Sequence, residues 1–232
     1  CNLSQKFQHM QKPNIPPVKV IFIAGQSGAG KGTQGIMLRE YLTSLGAPVE
    51  TIVNGDLIRE FNKGEDLIAR RLRDIGKQGR LTPTMHLYYL AYSRFIEIMR
   101  RSDNPLILWD GSPRRESEVV HFAEVFSALE IGAVTLYLCG VNDAICEERI
   151  IHRAELTGRP EDPKGKIDSH YGPGNGADML KLIATMEPSP QWPILHIPID
   201  ATGSPEEVHD RIKVTLFELQ GCGVLSLPVY LG

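Results

Sequence analysis

The segment Gly25-Gln-Ser-Gly-Ala-Gly-Lys31-Gly-Thr33-Gln34 follows the apolar run VKVIFIAG and opens a stretch with apolar residues at Ile36, Met37, Leu38 and Leu42. A strand, a glycine-rich turn and a helix in immediate succession leave few folds open. For the turn to surround a polyphosphate, successive backbone N–H groups must point inward, and side chains at Gly25, Gly28 and Gly30 would obstruct the approach. The helix N-terminus adds partial positive charge, and Lys31 supplies a full one to the β- and γ-oxygens. The strand-before, helix-after context separates this Walker A pattern from a chance glycine run. In one respect it departs from the common form. Gly32 follows Lys31, and the hydroxyl comes one place later at Thr33, so direct ligation of Mg²⁺ by that hydroxyl is less secure.

Four further runs resemble the first: 48–54, 105–111, 133–140 and 193–200. They are near-continuously apolar rather than alternating, as strands covered on both faces must be. Helical stretches lie between them at 32–45, 115–130 and 204–219, the last opening on Ser-Pro-Glu-Glu, an N-cap with proline in the first turn. Strands alternating with helices predict an α/β chain with a five-stranded parallel sheet and helices on both faces. Two interruptions break the rhythm. Residues 55–83 hold two helical pieces and no strand, and 154–176, rich in Gly, Pro and charge, reads as a mobile loop.

Composition narrows the function. A net charge of -3 argues against non-specific nucleic-acid binding, so an anionic ligand must be held by a local cluster of cations. The cysteines form no CxxC pair, which suggests neither zinc knuckle nor disulfide framework and fits a reducing, cytoplasmic setting. Cys139 reads as a small buried hydrophobe. No apolar stretch approaches the length of a membrane span. Residues 1–17 lack the apolar core of a secretory signal and read as a loose arm of a trimmed or partial sequence. The apolar tail 220–232 either covers part of the core or meets another subunit.

Two carboxylates sit at strand ends. Asp110 closes Leu106-Ile-Leu-Trp-Asp, a Walker B pattern, and points toward the crevice where such sheets bind ligands. Asp56 follows the second run. Both are candidates to hold Mg²⁺ through water; Asp56 is equally a helix N-cap.

GKGTQ, Asn54-Gly-Asp-Leu-Ile-Arg59, Asp110-Gly-Ser-Pro-Arg114, Arg149-Ile-Ile-His-Arg153 and Thr157-Gly-Arg159 occur in this order. With them the chain, from about Val18 to Leu219, resembles the adenylate kinase and UMP/CMP kinase family. The resemblance implies a P-loop NTPase core (18–54, 84–153, 172–219), an acceptor-binding insert at 55–83 and a short zinc-free lid at 154–171. It implies a nucleoside monophosphate kinase using ATP with Mg²⁺, acting as a monomer with no nucleic-acid or membrane partner. The donor site would comprise Gly25, Gly28, Ala29, Gly30, Lys31, Gly32, Thr33, Arg149 and Gly203. The acceptor site would comprise Asn54, Arg59, Leu81, Thr82, Gly111, Arg114, Glu118 and His170. Lys31, Arg114, Arg153 and Arg159 would carry the charge of catalysis. Phosphoryl transfer between phosphates needs in-line positioning and cations rather than a strong base, and the planar fork of arginine suits that task.

The chain departs from the family at four places. His170 replaces a lid arginine, and neutral imidazole would contribute much less charge. Tyr171-Gly-Pro-Gly-Asn-Gly is a poor helix start. Asn54 replaces a small Thr or Ala. Glu118 stands where the family has an amide that reads the acceptor base. As a carboxylate it only accepts hydrogen bonds, which predicts AMP, CMP or GMP over UMP, with AMP the family default; a solvated helix residue is the other reading of Glu118. The unusual lid leaves two alternatives to the kinase: a degenerate nucleotide-binding regulator, and a P-loop kinase for another small acceptor.

Overall fold

The computed structural model describes residues 14–78, 80, 82–102, 104–157 and 187–228. Five strands, β1 (Val18–Gly25), β2 (Val49–Val53), β3 (Leu106–Asp110), β4 (Gly132–Cys139) and β5 (Ile194–Asp200), form one sheet in the order β2-β3-β1-β4-β5. Every pairing is parallel. Seven helices stand among the described residues: α1 (Lys31–Ser44), α2 (Asn54–Phe61), α3 (Leu67–Lys77), α4 (Thr84–Arg101), α5 (Glu116–Ala128), α6 (Asp143–Thr157) and α7 (Pro205–Gly221). The α/β sheet expected from the five apolar runs is present, strand for strand.

The apolar runs are continuous because both faces of the sheet are covered. On one face Ile21, Ile23, Leu136 and Ile197 pack with Leu38 and Leu42 of α1 and with Ile212 and Leu216 of α7. On the other, Val20, Phe22, Ile107 and Trp109 pack with Phe95 of α4 and with Phe122 and Phe126 of α5. Phe22 is the hub of that second face, its ring centroid 4.8 Å from Phe122, 5.4 Å from Trp109 and 5.9 Å from Phe126. Val224, Leu225 and Leu227 join the first face, so the described part of the tail covers the core. Of the N-terminal arm, Pro17 accepts a hydrogen bond from the Gly132 N–H at 2.9 Å and leads directly into β1.

Residues 55–83 hold the expected helical pieces as α2 and α3 and contain no strand among the described residues. The start of α3 is capped by Asp66, whose carboxylate accepts from the N–H groups of Ile68 and Ala69 at 2.8 and 3.0 Å. One boundary differs from the sequence reading. Helix α6 continues through 154–157, where a loop was expected, because Ala154, Glu155 and Leu156 are good helix formers and the first glycine comes only at 158. Helix α7 begins with a full capping box. Ser204 accepts from the Glu207 N–H at 3.2 Å, and the Glu207 carboxylate accepts from the Ser204 N–H at 2.8 Å.

Candidate active site

The carboxyl ends of β1, β2 and β3 lie side by side, since register pairs Ile23 and Val53 with Asp110. This parallel alignment brings the glycine-rich loop after β1, the start of α2 after β2 and the Gly111–Arg114 turn after β3 to one crevice. Three segments distant in sequence therefore share a site because their strands end level.

In the loop, Gly25, Gly28 and Gly30 adopt φ of 138°, 83° and 98°, a region that side chains disfavour. Space is also short. A Cβ on Gly25 would lie 2.6 Å from the Leu138 carbonyl oxygen, and one on Gly28 would collide with the backbone of Cys146. Gly30, with open space around it, is instead the N-cap residue of α1. Ala29 is buried in the core beneath the loop, while Gly32 and Thr33 face outward on the first turn of α1.

Lys31 curls back over this loop, donating to the carbonyls of Gly25 at 2.8 Å and Gln26 at 2.7 Å. Burial, followed by the Arg114 guanidinium, pulls its ammonium down to about 7, against the opposing pull of Asp110. Asp110 is pushed above the usual carboxylate range chiefly by burial; Lys31 and Arg114 act the other way, and the neighbouring Asp56 charge adds to the rise. Arg153 is felt by both Lys31 and Asp110. Lys31, Asp110, Asp56, Arg114 and Arg153 thus form one electrostatic group.

Arg114 is partly buried, its Nε donating to the Gly111 carbonyl at 2.8 Å. Burial is the main cause of its lowered pKa, with Glu118 and Asp110 opposing it. Arg59, on the last turn of α2, pairs with Asp56 across one helical turn and is half-exposed. Arg149 of α6 reaches across to the Gly28 carbonyl at 3.3 Å, so the residue expected to cover the donor base does lie against the loop. Thr82 precedes α4, and Gly203 turns with φ 100° just ahead of the α7 capping box. Leu81, Arg159 and His170 lie outside the described residues.

Two acceptor candidates point inward. Asn54 is 1% exposed, and its side chain is engaged on every side: Oδ1 accepts from the Trp109 indole N–H at 2.9 Å, and Nδ2 donates to the Gly111 carbonyl at 3.0 Å and to Ser112 Oγ at 2.7 Å. Glu118 is equally buried. Its Oε2 accepts from the Arg114 backbone N–H at 2.9 Å and the Ser112 hydroxyl at 3.2 Å. Burial lifts its pKa, against the lowering effect of the Arg114 N–H. Glu118 is therefore not a solvated helix residue.

Sequence reasoning missed Gln26 and Cys146. The Gln26 amide donates to the Val141 carbonyl at 3.0 Å and to the buried Cys146 thiol at 2.9 Å. This fastens the glycine-rich loop to the start of α6. Nothing local marks either residue, because the pairing spans more than a hundred positions.

The residues at this site suit a Mg²⁺ ion accompanied by phosphates. Asp110 and Asp56 repel one another, a repulsion that a divalent cation relieves. Among the described residues no group of three or more His, Cys, Asp or Glu could hold a metal, and Mg²⁺ is a cation that keeps waters and phosphate oxygens as its remaining ligands.

No family model matches the chain. Among curated proteins it is 25% identical to an adenylate kinase of Thermus thermophilus over 208 residues, covering 85% of this chain and 96% of that protein. It is 26% identical to adenylate kinase 1 of Schistosoma mansoni, covering 93% of this chain and 100% of the relative. It is 27% identical to the UMP-CMP kinase of Sus scrofa, covering 88% and 98%. The resemblance carried by the motifs thus extends over most of the chain.

Proposed function

We propose that this chain, similar over most of its length to adenylate kinases and UMP-CMP kinases, is an ATP-dependent nucleoside monophosphate kinase. One observation carries the reading: Lys31 after β1, Asp110 at the end of β3 and Arg114 just beyond it stand close enough to perturb one another's ionisation. Clusters of perturbed groups in a crevice mark functional sites, and this one combines phosphate-binding cations with a carboxylate suited to a metal.

The backbone amides of 25–31 and the N-terminus of α1 receive the donor's phosphates, and Lys31 leaves its two loop carbonyls to meet the β- and γ-oxygens. Asp110 and Asp56 would hold Mg²⁺ through water, and the ion would there supply positive charge to the donor phosphates. Arg59 and Arg114 hold the acceptor's phosphate in line. An oxygen of that phosphate forms the new bond to the γ-phosphorus as the bond to the β–γ bridging oxygen breaks, giving two nucleoside diphosphates. Arg149 and Arg153 approach the donor from α6 and spread the charge of the transferring group.

For the acceptor, Glu118 takes two hydrogen bonds through Oε2, from the Ser112 hydroxyl and the Arg114 backbone N–H, and so presents its side chain as an acceptor. An acceptor-only oxygen favours a base that presents an amino group, which supports AMP, then CMP or GMP, over UMP.

The test is ADP release from Mg-ATP with AMP, CMP, GMP, UMP or no acceptor, for wild type and Lys31→Ala. Turnover with an amino-bearing monophosphate is expected, and Lys31→Ala should abolish it with an unchanged fold. Turnover retained in that variant refutes the role of Lys31; equal rates on UMP and AMP refute that of Glu118.

A further inference from the structure

Asn54 stands where α2, the helix bearing Arg59, leaves β2. Its amide belongs to a chain of hydrogen bonds whose direction is fixed at every step. The Trp109 indole can only donate, so Asn54 Oδ1 faces it; Nδ2 then faces Gly111 O and Ser112 Oγ. Ser112, accepting from Asn54, directs its own hydrogen to Glu118 Oε2, which also takes the Arg114 backbone N–H. The Gly111 carbonyl receives both Asn54 Nδ2 and Arg114 Nε. Both the main chain and the side chain of Arg114 are thus anchored to atoms that Asn54 holds directly or through Ser112.

Resting on the kinase reading, we propose that Asn54 is a positioning residue. It locks the Gly111–Arg114 turn to the start of α2, so that Arg59 and Arg114 keep a fixed separation when the acceptor's phosphate arrives. Every donor and acceptor of the Asn54 amide that the geometry can use is used. A buried network satisfied in this way rigidifies its members, and a half-satisfied one costs stability. The asparagine is required for its chemistry as well as its shape. Aspartate would fill the same volume but offer lone pairs to two oxygens that need donors.

The experiment measures monophosphate and Mg-ATP dissociation constants by calorimetry, alongside KM and kcat for both substrates. The proteins are wild type, Asn54→Ala, Asn54→Asp and Trp109→Phe. Indole emission is read in a Trp192→Phe background, which leaves Trp109 as the reporter. Asn54→Ala and Asn54→Asp should weaken acceptor binding and raise acceptor KM about tenfold. Mg-ATP binding should stay within about twofold. Asn54→Ala should also shift Trp109 emission to the blue by removing the indole's partner. Trp109→Phe keeps the donors to Gly111 and Ser112 and should show the smaller acceptor defect. Folded variants whose acceptor constants match wild type overturn the inference alone, as does an equal loss for ATP and acceptor. A wild type that neither binds nor phosphorylates a monophosphate overturns the kinase reading, and this one with it.

Discussion

Mg-ATP binding should consume a proton at Lys31, and the pH dependence follows from the ligand-free geometry. With its ammonium pulled down to about 7, Lys31 satisfies the Gly25 and Gln26 carbonyls equally well as a neutral amine, which retains two N–H groups. The β- and γ-oxygens need the charged form. A lowered pKa means the charge is fully present below about 7 and lost as pH rises through it; bound phosphate raises the pKa again and recovers the proton. About nine-tenths of Lys31 is neutral at pH 8, so affinity should fall about tenfold per pH unit above 7, with about 0.9 proton taken up per ATP at pH 8. Isothermal titration at pH 8 in phosphate and in Tris reads this directly, because the apparent enthalpy changes with the buffer's ionisation enthalpy in proportion to the protons exchanged. Lys31→Arg should remove the dependence, since guanidinium stays charged throughout. Identical enthalpies in the two buffers, with a dissociation constant flat from pH 6.5 to 8.5, would refute the argument. Lys31 would then already be charged in the free protein.

Three further substitutions separate space from backbone strain and test a helix cap. Gly30→Ala meets open space and should cost only the left-handed backbone penalty, about 1–2 kcal/mol. Gly28→Ala must also push into Cys146 and should lower both Tm and Mg-ATP affinity much further; equal Tm losses would contradict the packing described. Ser204→Ala deletes the α7 capping box and should destabilise the fold by about 1 kcal/mol without altering turnover, read as the midpoint of urea denaturation.

The sheet was legible because its physics is local. Five apolar runs, each too short for a buried helix and flanked by turn residues, could only be strands covered on both faces. The glycine-rich turn was equally legible, since its glycines and Lys31 lie within one segment, as were Asp110 and Arg114 at the end of a readable strand. What pattern could not supply was the direction of side chains whose partners are far along the chain. Asn54 read as an acceptor contact, yet the indole that turns it inward lies 55 positions away, in a residue that reads only as core. Glu118 left two readings open until burial removed the solvated one. Helix α6 ran past its expected end because glycine composition flagged a loop a few residues before glycine itself appears.

The fastening of the glycine-rich loop to α6 bears on how such a site can diversify. Gln26 binds Val141 and Cys146, Gly28 abuts the Cys146 backbone, and Arg149 returns to the Gly28 carbonyl. The proposed donor site is therefore a two-part module whose halves, 25–34 and 141–149, can be inherited or transplanted only together. The helices of the proposed acceptor insert, 55–83, contribute none of the contacts just named. On the kinase reading, a lineage, or an engineer, can exchange them for a new acceptor while the donor half is carried over unchanged.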